Sequence, residues 1–347
     1  MTYKQRFLIF LVFVGVFALA APGLLLYTTG HRIDWETLSI EKYGAIVFKT
    51  FPQEVTIAIE NKTYAKSRNL QMISLAPGIY PVEVNREGFL KWNKNVLVQA
   101  NSATLLRYIQ LFSKNEPVLL FPDKINRIYF SSETNEAIIW SGNKLLLTQL
   151  EPFSIKKQIL EIPPEYKVDK IEWLYQNRQV LAEIKKGEAL QFVLLGLSSP
   201  YGVTFLNPIK TELPEVSLIE SAWPVAGPEN WFPPLTKCFS PLQDVTFICQ
   251  NGNSIVFLDK EKKQMIELTK SEKDILEFYL DQSDNYLTLV TAESISMVEI
   301  YPIGGINNKW TLLEGGIIYS TIQNNQDRRL YFHGIINDKE GLYRLIF

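Results

Sequence analysis

RIYFSSETNEAIIW, residues 127–140, joins two short runs of apolar, strand-forming residues through a polar turn, which is the pattern of a β-hairpin. Four later segments repeat it: IEWLYQNRQVLAEI (171–184), TKCFSPLQDVTFIC (236–249), LEFYLDQSDNYLTLV (276–290) and YSTIQNNQDRRLYF (319–332). With Phe130, Leu174, Phe239, Leu280 and Ile322 taken as equivalent, the spacings are 44, 65, 41 and 42 residues. A four-stranded propeller blade occupies about 40–45 residues, so residues 113–347 read as a degenerate β-propeller of about five blades. The long interval holds roughly 23 residues more than its neighbours. Either a loop near Ser221–Pro234 takes up this excess, or a poorly formed sixth blade does.

Composition agrees with a mainly β chain. Of 347 residues, 20 are Phe, 16 Tyr and 7 Trp, against 18 Gly, and β-branched and aromatic residues favour pleated, half-buried surfaces. A net charge of −2 gives no bulk electrostatic reason to expect nucleic acid. Two His and two Cys leave little material for a zinc site or for histidine-dependent catalysis. No metal, cofactor or catalytic residue is assigned.

Residues 7–27, FLIFLVFVGVFALAAPGLLLY, carry no charge, and a helix of 21 residues spans the hydrocarbon core of a bilayer. Lys4 and Arg6 precede the run and mixed charges follow it, which leaves residues 1–6 as a cytoplasmic tail and places the bulk of the chain outside the cell membrane. Ala18-Leu19-Ala20 resembles a signal-peptidase site, so a cleaved leader competes with a signal anchor. The apolar run continuing through Leu24–Leu26 favours the anchor. Residues 28–43 read as a linker.

From Gly44 to Phe112 the alternating runs at Ala45–Phe48, Val55–Ile59, Ile79–Val84 and Val96–Val98 predict a small β-sandwich. Pro77-Gly78 marks one turn, and Gly88 after Asn85-Arg86-Glu87 marks a position of positive φ, with Phe89 and Trp92 returning to the core. Phe51-Pro52, Val55, Ile57, Pro77-Gly78, Tyr80, Val82, Val84 and Gly88-Phe89 resemble a PEGA domain over about 60 residues. Pro52-Gln53-Glu54-Val55 stands in place of the tetrapeptide that names that family. Its Asp-Gly turn, expected near Glu60-Asn61-Lys62, and its later Thr-Pro are missing. The resemblance implies an extracytoplasmic β-module without catalytic residues, found beside surface-layer, sensor or glycan-associated domains. With Tyr27-Thr-Thr-Gly30-x-Arg32-x-Asp34 ahead of it, the arrangement is similar to single-pass bacterial envelope proteins. The strand-turn-strand rhythm further on is similar to TolB-like and WD40-like propellers, without their Gly-His or Trp-Asp signatures.

Folding 236–249 as a hairpin about Gln243-Asp244 pairs position 240 with 247, Phe239 with Ile248, and Cys238 with Cys249, which either form a disulfide or remain two buried thiols. His31 and His333 fall where surface or edge positions are expected. Trp223, Trp231 and Phe232, in a proline-rich segment, are the candidate binding residues, with a structural plug as the competing reading. The function that follows is a membrane-anchored envelope protein whose propeller binds a protein or glycan. The alternative is an exported hydrolase or lyase acting on envelope polysaccharide through acids such as Asp281, Asp284 or Asp327, all at turns where Asp is favoured for local hydrogen bonding.

Overall fold

The computed structural model describes residues 3–28, 31–34, 39–60, 62–67, 70–131, 134–174, 178–198, 202–206, 237–242, 246–259, 261–281, 285–300, 307–324 and 328–347. The chain divides into two compact units, Met1–Lys114 with Tyr301–Asn308, and Asn115–Ile300 with Lys309–Phe347.

The first unit opens with helix α1 (Tyr3–Thr28), 26 residues or about 39 Å at 1.5 Å per residue. Gln5–Leu25 is long and apolar enough to cross a membrane by length and composition, and its window is not buried against the rest of the chain. Pro22 lies inside the helix. The segment expected as a linker instead holds an antiparallel hairpin, β1 (His31–Asp34) and β2 (Ser39–Lys42). Its register sets Arg32 opposite Glu41 and Ile33 opposite Ile40. Strands of four residues with mixed polarity show too short a period to stand out in sequence.

The module that follows has two sheets. Strands β3 (Gly44–Phe51), β4 (Val55–Ile59), β5 (Lys62–Ser67), β6 (Leu70–Leu75), β7 (Gly78–Asn85), β8 (Trp92–Val98) and β9 (Ala103–Gln110) assemble in the orders β6-β3-β9 and β5-β4-β7-β8. The period-two pattern is explicit in β8, where Trp92, Lys94, Val96 and Val98 are buried and the residues between them exposed. Ile46 and Phe48 from one sheet, and Val55, Ile57, Val84 and Trp92 from the other, are fully buried. Each such side chain stabilises by about 1.5–3 kcal/mol relative to exposure. β3 and β9 run parallel. A parallel pair needs a long crossover, here the whole of the second sheet.

Gly88 has φ +78° in the turn after β7. Phe89 N–H donates to the Arg86 carbonyl (3.1 Å), and Lys114 N–H donates to the Gly88 carbonyl (2.9 Å). Trp92 is fully buried, whereas Phe89 is only half-buried.

Among the described residues, the second unit is a propeller of five four-stranded sheets. Strand β10 (Val118–Phe121) comes first. Blade 1 is β11 (Arg127–Phe130), β12 (Glu136–Ser141), β13 (Lys144–Leu150) and β14 (Phe153–Glu161). Blade 2 is β15 (Lys167–Leu174), β16 (Gln179–Lys186), β17 (Ala189–Gly196) and β18 (Val203–Leu206). Blade 3 comprises β19 (Lys237–Leu242), β20 (Thr246–Asn251), β21 (Ser254–Asp259) and β22 (Gln264–Lys270). Blade 4 comprises β23 (Ile275–Leu280), β24 (Tyr286–Thr291), β25 (Ser294–Glu299) and β26 (Lys309–Glu314). Blade 5 is composite: β27 (Ile317–Asn324), β28 (Arg329–Ile336) and β29 (Lys339–Ile346) are completed by β10, in the order β10-β29-β28-β27. The first strand of the unit therefore finishes its last blade and ties the two ends of the ring together.

Phe130, Leu174, Phe239, Leu280 and Ile322 all lie in the first strands of their blades, so the repeat read from sequence is the first hairpin of each sheet. A second repeat joins the middle strands through two-residue turns: Gly142-Asn143, Gly187-Glu188, Gly252-Asn253 and Asn337-Asp338. The three glycines have φ between +56° and +59°, which the first position of a type II′ turn requires, and Asn337 and Asp338 are both left-handed. A third repeat is one bond. Leu150, Leu197, Ile300 and Phe347 N–H groups donate to the carbonyls of Asn135, Arg178, Asn285 and Arg328 in four different blades. Blades 1 and 2 share one apolar cluster that includes Leu145, Leu147, Val180 and Val193. Blades 3 and 4 share another with Ile248, Phe278 and Leu287, and blades 5 and 1 a third with Ala137, Ile139, Tyr331 and Leu342. Because both sheet faces pack on neighbouring blades, Tyr286–Thr291 is buried at every position.

A Cβ at residue 88 meets open space, so substitution there costs backbone strain alone. Gly88→Val is expected to destabilise the small module by about 1–3 kcal/mol, and Gly88→Asn by less. Thermal unfolding of the two variants checks this, and an equal cost for both would show that the left-handed conformation is not what matters.

Candidate functional site

Within each blade the strands alternate in direction, so the first and third connections emerge at one end of the sheet and the two-residue turns at the other. The first and third connections form one loop-bearing end, and loops are the usual location of binding residues on a rigid scaffold. On blade 2 this end holds an open cleft of about 350 Å³. Arg178, Gln179, Ser198 and Thr204 give it one cation and three neutral polar groups, and Leu194 supplies an apolar wall. Gly196 N–H donates to the Gly202 carbonyl at 2.7 Å. A Cβ on Gly196 would come within 3.1 Å of the Gly202 nitrogen, so this close approach of β17 and the chain entering β18 depends on glycine.

At the same end, between blades 5 and 1, three donors converge on one carboxylate. Glu151 Oε2 accepts from the Arg344 guanidinium at 2.7 Å and from Tyr331 Oη at 3.2 Å, and pairs with Arg329 at 3.0 Å. All three charged side chains are at least three-quarters buried. Asn135 Nδ2 donates to the Glu151 carbonyl at 3.3 Å and fixes the corner from which the carboxylate projects. Burial, reinforced by the Glu151 charge, pushes the Tyr331 phenol up to about 12, so it remains a neutral donor. Two guanidiniums and a phenol on one carboxylate make a charge-assisted clasp.

Other polar contacts also cross between blades. Tyr279 Oη donates to the Thr321 carbonyl at 2.9 Å from blade 4 to blade 5, and burial raises its pKa. Lys237 pairs with Glu277 across blades 3 and 4, lies 5.3 Å over the Phe239 ring and 5.5 Å over the Phe278 ring, and so covers an edge-to-face aromatic pair.

The candidate residues from sequence fall as follows. Trp223, Trp231 and Phe232 belong to the connection between β18 and β19, outside the described residues, as do the excess residues of the long interval. Cys238 and Cys249 stand opposite one another in β19 and β20, and their sulfurs are bonded at 2.10 Å. Phe239 faces Ile248 as the hairpin reading requires, but the register shifts before Leu242, so position 240 does not face 247. Pro241 lies in that stretch of an edge strand, where proline's missing N–H is tolerated only at an edge or a bulge. Asp281 Oδ1 accepts the N–H groups of Asn285 and Tyr286 at 3.0 Å each, bracing its own turn. Asp284 and Asp327 lie outside the described residues.

His333 is not a surface or edge residue. It sits in β28, with β27 and β29 on either side, and is buried. Its Nε2 lies 3.3 Å from Glu340 Oε1 and its ring 4.8 Å from the Tyr319 ring. Burial lowers its pKa below 6.5, against the opposing pull of Glu340. Among the described residues, no cluster of three or more His, Cys, Asp or Glu has the geometry to hold a metal ion. The Glu151 clasp had no signal in sequence, since its members are separated by up to 193 residues and only ring closure brings them together.

No protein-family model and no curated protein matches the sequence. Solved structures show a similar propeller arrangement at low identity. Hsv2 of Kluyveromyces lactis is 8% identical with a TM-score of 0.22, covering 83% of this chain and 70% of that one. A chain of the Mitotic Checkpoint Complex is 8% identical with a TM-score of 0.36, covering 67% and 98%. The β-propeller domain of Cps50 (Swd1) from Myceliophteria thermophila is 8% identical with a TM-score of 0.29, covering 66% and 85%. At these scores the likeness carries no argument, and the architecture rests on the five sheets and the composite blade.

Glu151→Gln keeps the side-chain shape but leaves Arg329 and Arg344 without their carboxylate. Stability of the propeller should fall by about 1–3 kcal/mol, read as a lower denaturation midpoint at unchanged m. A shift in midpoint below a few tenths of a kcal/mol would show that the clasp does not hold the closure. For His333, the unfolded chain takes up a proton near 6.5 while the folded chain resists it. The stability present above that pH is therefore lost as pH falls through the lower folded value. His333→Gln should flatten the decline of Tm between about pH 7 and pH 5 that the parent chain shows, and parallel curves would assign that decline to other groups.

Proposed function

We propose that this chain is a membrane-anchored, extracytoplasmic binding protein of the cell envelope. In this reading α1 is the anchor, the small module a PEGA-like spacer, and the propeller an interaction surface for a protein or glycan. The observation that carries the reading is α1 itself. Its apolar side chains are exposed on all sides over a length sufficient to span a bilayer, and an unburied apolar helix requires an apolar surrounding. A disulfide between Cys238 and Cys249 suits an oxidising compartment outside the cytoplasm.

The ring supports binding more than chemistry. Asp281 is occupied in its own turn, and the loop-bearing end presents a cleft of mixed polarity with an arginine at its rim. Trp223, Trp231 and Phe232 supply a second set of contacts, since tryptophans combine a large apolar area with one polar N–H and are enriched at interaction hot spots.

A membrane-impermeant lysine crosslinker applied to intact cells tests the anchor and the surface together. The full chain should sediment with membranes, become labelled beyond residue 114, and capture a discrete partner. Trp231→Ala should lower capture about thirtyfold, the equivalent of 2 kcal/mol, without lowering Tm. A soluble chain beginning at Ala21 would overturn the anchor. A large fall in Tm with capture retained would assign Trp231 to structure rather than to binding.

A further inference from the structure

The outer face of the three-stranded sheet in the small module is apolar where solvent would favour polar residues. Met72 in β6 and Leu105 in β9 flank Val47 of β3 in register, and they are 66% and 45% exposed. Phe51 lies four residues beyond Val47, on the same alternation of β3, and is 55% exposed. A register shift in the β3–β9 ladder leaves Arg107 and the 61% exposed Tyr108 both turned to solvent. Lys49 is exposed between Val47 and Phe51. The sequences of the three strands, GAIVFKTF, LQMISL and ATLLRYIQ, contain no acidic residue. Exposed apolar and aromatic side chains flanked by cations are the composition of a surface that enters the boundary between water and lipid.

Charge and chain geometry both point to the same occupant. Between Gly44 and Lys114 there are nine Lys and Arg against four Asp and Glu, whereas residues 115–347 carry 22 against 30. The module is thus a basic segment of a weakly acidic chain. The hairpin β1–β2 sends the chain out and back, because His31 pairs with Lys42. Thr28 and His31 are three peptide steps apart, paired Cα atoms lie about 5 Å apart, and two steps lead from Lys42 to Gly44. The module therefore starts within roughly 25 Å of the end of α1.

We infer that the face bearing Lys49, Phe51, Met72, Leu105, Arg107 and Tyr108 docks on the bilayer that α1 enters, with Lys49 and Arg107 contacting anionic phospholipid headgroups. The inference rests on the membrane-anchored reading of α1. Basic residues near an anionic surface each add attraction that falls off within a Debye length, so the contact is sensitive to salt.

The test uses the full chain in nanodiscs of phosphatidylcholine alone or mixed with phosphatidylglycerol. A polarity-sensitive fluorophore is placed at Met72→Cys or Leu105→Cys, or at Asn95→Cys on the outer face of the other sheet as control. Cys238 and Cys249 are bonded to each other and do not compete for label. Labels at 72 and 105 should shift to the blue and be quenched by lipid-borne quenchers in the anionic discs, and less so at high salt. The label at 95 should do neither. Lys49→Glu with Arg107→Glu should return the first two to the behaviour of the control. The two labels occupy different strands, so one folded variant, checked by circular dichroism, is enough. Labels at 72 and 105 that match the control in anionic discs overturn the inference. So does a blue shift in lipid-free detergent that grows with protein concentration, which would give the face to a second copy. A chain that stays out of the discs refutes the anchor instead. The same labels are then read on phosphatidylglycerol vesicles, where an absent shift overturns the docking as well.

Discussion

The pairing of β10 with β29 is the constraint on which the propeller depends, because without it blade 5 has three strands and the ring has two ends. Val118 stands opposite Arg344, across a separation at which closing a flexible loop costs about 5 kcal/mol. The chain does not meet that cost in one step. Neighbouring blades bury apolar faces against one another, as the clusters shared by blades 1 and 2, 3 and 4, and 5 and 1 record. The curvature of the stack brings the ends together, and β10 adds only the last ladder.

The closing interface also carries a carboxylate shared by two guanidiniums and a phenol. Arg344 lies in β29 between Tyr331 of β28 and Val118 of β10, so the residue that receives the closing strand also reaches Glu151 of blade 1. Apolar packing between blades tolerates small slips, whereas a carboxylate shared by two guanidiniums and a phenol is satisfied in one register. A one-residue slip of β29 would carry Arg344 to the opposite face of its sheet and leave the charge of Glu151 poorly compensated. The clasp thus adds register where a four-residue strand alone would specify it weakly.

How much of this could be read in the sequence varied with the length and regularity of each element. The first hairpin of every blade was visible because two apolar runs flank a polar turn at a near-constant period. The middle turns repeat in four of the five described blades, yet Gly-Asn, Gly-Glu and Asn-Asp share only a positive φ at their first position. Strand β10 is four residues long, and its partner lies at the far end of the unit, so the composite blade left no local trace. In the small module β3, β4, β7 and β8 were legible from alternation, but β9 carries its exposed Leu105, Arg107 and Tyr108 on a bulged strand whose polarity does not alternate. His333 was misplaced because a single polar residue in an apolar strand reads as an edge, whereas Glu340 and the Tyr319 ring accommodate it inside.

In the proposed topology, a basic module outside the membrane looks at odds with the rule that positive residues favour the cytoplasmic side. The rule counts residues within about 15–20 positions of the span, where a hydrophobic segment chooses its orientation during insertion. After α1 that window holds Arg32 and Lys42 against Asp34, Glu36 and Glu41, while Lys4 and Arg6 stand unopposed in the first turn of the helix. Most of the positive charge begins at Lys49 and beyond, on strands that form a folded module whose translocation depends little on its charge. The proposed topology is therefore compatible with these cations, because the acidic residues around the hairpin separate the two charge requirements along the sequence.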